Sequence, residues 1–130
     1  MSESTREDVL NGFRALLPNW DGYGASPILP SAIDLARELI SLMESLLAEE
    51  ARASLTLLPV RHGGVQIEWA DADEDHELGV EPDGSLEFLH IDKSTGAMAE
   101  RKYPSAGQAV HPGVLRELRA MRESVISVGK

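Results

Sequence analysis

The 130-residue sequence contains no cysteine. That absence excludes a disulfide framework, a thiolate zinc site and a cysteine nucleophile. No apolar run approaches the ~20 residues needed to span a membrane. The opening residues Met1 to Asp8 are polar and acidic, the wrong pattern for a secretory signal, so a cytoplasmic protein is expected. Internal repeats and linker-like stretches are also missing, and the length suits one α+β domain over 1–130 with its own core. Chemical motifs are scarce. His62, His76, His90 and His111 show neither HxH nor HExxH spacing, and there is no Gly-x-Ser-x-Gly elbow or phosphate loop. No metal and no cofactor are expected, and an enzyme is disfavoured, although catalytic residues can converge from distant positions.

Positive charge is short in one place. Between Gln66 and Glu100, eleven acids face a single base, Lys93, so this segment carries the whole net charge of −10 and the rest of the chain is balanced. Such a field repels phosphate backbones, which argues against direct nucleic-acid binding through it. It attracts a basic protein surface or cations and speeds encounter with them. Glu68, Asp71, Asp73, Glu74, Asp75, Glu77 and Glu81 are the candidate partner-binding residues. The plainer alternative is a solvated edge that aids solubility.

Hydrophobic periodicity supplies the fold. Ser4-Thr-Arg-Glu7 fits a capping box, and Val9, Leu10, Phe13, Leu16 and Leu17 follow on one helical face until Pro18. Ser31 and Asp34 suggest a second cap, opening a helix to about Arg52 with a wide apolar stripe. After residue 53 the period becomes two. Strands are expected over 55–60, 65–70, 76–81, 85–91 and 97–103, with Pro59 confining the end of the first to an edge or bulge. Pro112 then opens a last helix bearing Val114, Leu115, Leu118, Met121 and Val125 on one side. The class is α+β: an antiparallel meander of four to five strands, with two N-terminal helices and one C-terminal helix packed on one face.

Asn19-Trp-Asp-Gly-Tyr-Gly-Ala25, followed by Pro27, and later Gly63-Gly-Val-Gln-Ile-Glu-Trp69 resemble a signature of small, uncharacterised bacterial and phage proteins. The similarity covers roughly residues 8–90. It implies a shared fold and a mobile-element setting, and it brings no activity, cofactor or catalytic residue.

Several constellations have two readings. Trp20, Asp21 and Tyr23, set among glycines, can line a ligand pocket. The favoured reading is that they plug a helix–helix corner, the rings buried and Asp21 holding backbone N–H groups in an Asx turn. Asp71 to Asp75 looks like the start of a calcium loop, but His76 and Pro82 occupy the positions that need glycine and glutamate, which excludes an EF-hand. Loose surface binding of a divalent cation remains open. His76 and His90 can meet across adjacent strands, with Glu77 or Glu87 on the opposite face; two ligands fall short of a metal site, and partly exposed histidines are expected. Asp83 and Glu87 begin a nuclease-like pattern that Leu89 breaks where a lysine belongs. Arg116, Arg119 and Arg122 read as the wet side of the last helix, or as a contact to nucleic acid or to the acidic segment of a second copy.

The functional expectation is a non-catalytic, acidic protein-binding module, such as an inhibitor or antitoxin-like neutraliser of a basic partner. The alternatives are a small-molecule or metal-dependent enzyme centred on Trp20–Tyr23 with His76 and His90, and a homo-oligomeric structural protein.

Overall fold

The computed structural model describes residues 3–107 and 109–128, without the side chains of 3, 4 and 122–128. Three helices come first: α1 (Glu3–Arg14), α2 (Pro30–Leu46) and the short α3 (Glu49–Ala53). Five strands follow, β1 (Thr56–Pro59), β2 (Val65–Ala70), β3 (Glu74–Val80), β4 (Leu86–Asp92) and β5 (Met98–Tyr103), and then α4 (Pro112–Val128). The strands pair antiparallel in chain order, forming the expected α+β meander.

The helix starts differ from the sequence reading. Helix α1 begins at Glu3, which puts Ser4 inside the first turn; its side chain lies outside the described residues. Ser31 does not cap α2. Pro30 occupies the opening turn, where its missing N–H costs nothing, and the capping position is Leu29. The long helix expected up to Arg52 breaks at Leu47, which turns extended and is buried. Every residue around that break tolerates helix, so propensity gives no hint of it. The restart at Glu49 instead lets Leu47, Ala51 and Leu55 all join the core. Glu49 and Glu50 then sit favourably at the positive end of α3.

Strict alternation divides the sheet into two faces. Val65, Ile67 and Trp69 of β2 pair with Val80, Leu78 and His76 of β3, which in turn pair with Leu86, Phe88 and His90 of β4. All nine are buried and face the helices. Ile33, Leu39, Ile40 and Met43 of α2 and Val114 and Leu118 of α4 complete the core. Of the nine strand residues, only the two histidines are titratable, and β5 adds Arg101 and Tyr103 at the edge of the same face, paired with Phe88 and Leu86. Among the described residues, no helix covers the other face.

Candidate functional site

Glu68, Asp75, Glu77, Glu87 and Glu100 share the uncovered face, as the pairing register dictates, and Glu81 extends it. Glu68, Glu77, Leu89 and Glu100 form one row straight across four strands. The neighbouring row holds Gln66, Gly79, Glu87 and Lys102. Because Gly79 has no side chain, a depression of about 220 Å³ opens there, walled by Glu77, Glu81, Glu87, Leu89 and Glu100. Basic groups approach these acids: His62 Nε2 stands 2.6 Å from Glu81 at the wall of the depression, Lys102 stands 3.5 Å from Glu87 and 3.7 Å from Glu100, and elsewhere on the face Lys93 stands 4.0 Å from Asp75. Among the described residues, no ion pair joins Arg116 or Arg119 to these acids; both arginines are exposed.

Crowding leaves a titration signature on this face. Partial burial, with Glu68 and Asp75 adding repulsion, pushes the Glu77 carboxyl above its ordinary range. The folded state therefore binds this proton more readily than the unfolded chain, and ionised Glu77 costs stability at neutral pH. Replacing Glu77→Gln is expected to raise stability by about 0.2–1 kcal/mol at neutral pH, the usual scale for like charges directly opposed across strands. Denaturant titration at neutral and acidic pH checks this, because the gain should vanish once the carboxyl is protonated.

The remaining acids of the segment serve other ends. Asp83 accepts hydrogen bonds from the Ser85 N–H and hydroxyl, and Asp92 does the same for Ser94 and for the Thr95 N–H. Both are turn builders, held below the ordinary carboxylate range by those bonds. Asp71 accepts from the N–H groups of Asp73 and Glu74 and contacts His76 Nε2 at 2.9 Å. Asp71, Asp73 and Glu74 thus sit at the β2–β3 turn, apart from the uncovered face. The seven candidate acids divide: Glu68, Asp75, Glu77 and Glu81 gather on that face, and the other three do not.

A chain of groups that the sequence shows only in part begins at Asp71. His76 and His90 do meet, Nδ1 to Nδ1 at 2.8 Å, and His90 Nε2 lies 3.0 Å from Glu117 of α4. Arg101 donates to Glu117 at 2.6 Å, and the Tyr103 hydroxyl donates to its other oxygen. The histidines are 1% and 9% exposed, not partly exposed as expected. Their inward positions on β3 and β4 bury them, His76 stacked on Trp69 and His90 on Phe88, with α4 reaching His90 through Glu117. Burial alone raises the carboxyls of Asp71 and Glu117. Their hydrogen bonds outweigh it: to His76 and backbone N–H groups for Asp71, and to Tyr103, His90 and Arg101 for Glu117. Both are held below the usual range.

An open groove of about 570 Å³ borders this chain, touching Asp71, Glu74, His90, Arg101, Glu117 and Met121. No imidazole nitrogen is left over for a reactant, since each already has a partner. In a tetrahedral zinc site two imidazole nitrogens lie roughly 3.3 Å apart, so the 2.8 Å contact is hydrogen-bond spacing. Among the described residues, no group of three or more His, Cys, Asp or Glu is placed to hold a metal ion. Glu117 was legible in principle: it falls with Val114, Leu118 and Met121 on the apolar stripe of the last helix, an unusual place for a carboxylate.

Trp20, Asp21 and Tyr23 lie elsewhere. Asp21 accepts from the N–H groups of Tyr23 and Ala25, and Trp20 Nε1 donates to the Ser26 carbonyl at 2.8 Å. These bonds, led by that from Tyr23, lower the Asp21 carboxyl. Trp20 is half-buried against the core, whereas Tyr23 is 80% exposed and plugs no corner. The loop runs beside the β1–β2 turn: Ser26 N–H donates to Arg61, and Leu29 N–H to Gly63. His76 lies four residues along β3 from that end, roughly 13 Å at strand rise. The loop and the histidines therefore do not converge on one pocket.

The segments 19–27 and 63–69 do converge, on each other. Gly63 takes a left-handed φ of 103° beside the Pro27 carbonyl, and Gly64 lies against the Val80 carbonyl. Their pairing is a packing joint between loop and sheet. Comparison with protein-family models, curated proteins and solved structures yields no match. No helix among the described residues is long and apolar enough to cross a membrane.

Proposed function

We propose that the protein is a non-catalytic binding module whose uncovered sheet face captures a basic protein, seating a lysine or arginine side chain over Gly79. The observation that carries this reading is the depression itself: four glutamates, Glu77, Glu81, Glu87 and Glu100, wall a space floored by a glycine. Exposed Leu58 and Met98, with half-buried Leu89 and Ile91, supply apolar contact around the charges. A cytoplasmic inhibitor or antitoxin-like neutraliser from a phage or bacterial mobile element is the concrete form. The acidic field speeds encounter with the partner and repels nucleic acid.

An oligolysine peptide titrated into the ¹⁵N-labelled protein tests the reading. Shifts are expected to be largest at Glu77, Gly79, Glu87 and Leu89, to saturate, and to weaken with salt. The combined change Glu77→Gln, Glu87→Gln and Glu100→Gln should reduce affinity at least tenfold, about 1.4 kcal/mol. Gly79→Ala, whose Cβ meets nothing closer than 3.4 Å, should weaken binding without unfolding the sheet. Shifts confined to the Asp71–Asp75 turn, or affinity unchanged in these variants, would overturn it.

A further inference from the structure

The contacts between Asp71 and Glu117 set a proton count. Both ends are carboxylates, so Nε2 of His76 and Nε2 of His90 each carry a hydrogen to donate. The 2.8 Å contact between the two Nδ1 atoms needs one more hydrogen and has no room for two. We propose that His76 and His90 share a single extra proton, and that the singly protonated pair is a pH-sensitive clasp fixing α4 to the sheet. Stacking fixes both rings in place: His76 lies nearly parallel to Trp69 at 5.2 Å, and His90 to Phe88 at 4.4 Å.

The same count gives two ways to open the clasp. Adding a proton sets two N–H groups head to head. Removing one leaves facing lone pairs between the rings, strips the hydrogen that His76 gives to Asp71, or strips the hydrogen that His90 gives to Glu117. Each case breaks one link of the chain, and the last breaks it on the α4 side, where Glu117 ties both β4 and β5 to the helix. Other groups facing the pair are Asp73, Glu74 and Lys93 around the β2–β3 turn, Arg101 and Tyr103 from β5, and Glu50 across the groove. Helix α4 is thus held most firmly within a bounded pH interval.

The test uses the full chain with ¹⁵N-histidine. Within the interval, the ring-nitrogen spectrum should show both Nε2 atoms protonated and one proton divided between the Nδ1 atoms. Amide exchange over Val114–Met121, corrected for intrinsic rate, should be at least about tenfold faster on either side of it, relative to β2 and β3 amides. His76→Phe keeps a ring on Trp69 and removes the shared proton, so the maximum should disappear although Glu117 still titrates. His76→Gln serves the same purpose if the phenylalanine variant does not fold. Two rings that titrate independently, or α4 protection that follows the sheet at every pH, would refute the clasp.

Discussion

Replacing Glu117→Ala is expected to cost about 3 kcal/mol, since it strands His90 Nε2 and the Tyr103 hydroxyl and removes charge-assisted hydrogen bonds worth about 1.5–3 kcal/mol each. Arg101 is largely exposed and recovers water, which keeps the total below the simple sum. For a domain of this size the melting temperature should fall by roughly 10 °C. The pH dependence has a definite sign. The Glu117 carboxyl lies below its ordinary value in the folded state, so its contribution is full above the unfolded carboxylate range and is lost as pH falls through the depressed folded value. The gap between wild type and variant should therefore narrow in acid. Calorimetry across that range measures it; a gap that stays constant would show that the carboxylate charge is not what binds the network.

Gly64→Ala should be at least as damaging. A Cβ there would stand 2.4 Å from the Val80 carbonyl oxygen, a backbone atom that cannot rotate away. Val80 is the last residue of β3 and pairs with Val65, so relief requires moving β2 away from β3 at the start of their ladder. Overpacking costs typically about 1–3 kcal/mol, and a rigid backbone contact belongs at or beyond the upper end. The neighbouring Gly63 tests a different property: its left-handed φ strains any side chain, and its nearest contact is 3.3 Å. Parallel denaturant melts of the two alanine variants should rank Gly64 as the costlier. Equal stability of Gly64→Ala and wild type would mean the loop–sheet joint yields easily.

The strands were legible because alternation is a local pattern. Val65, Ile67 and Trp69 against Gln66 and Glu68 announce one buried and one open face before any partner is known. The same parity puts Glu77 and Glu87 opposite His76 and His90, as the structure bears out. The break at Leu47 was not legible: its neighbours favour continuous helix, and only the space beneath β2 rewards a turn there. The histidine chain was half legible. The spacing brings the two rings together, but their burial depends on how the helices lie on the sheet, with α4 reaching His90 through Glu117.

Sequence by itself determined the α+β class, the order of the strands and the concentration of negative charge in a single segment, all consequences of short-range periodicity and composition. Tertiary structure alone decided which carboxylates act together. Chain proximity places Asp75 beside Asp73 and Glu74, yet side-chain parity and turn geometry send them to different sites. Glu117 reaches the histidines from 27 residues beyond His90, a contact set by how a helix lies on a sheet.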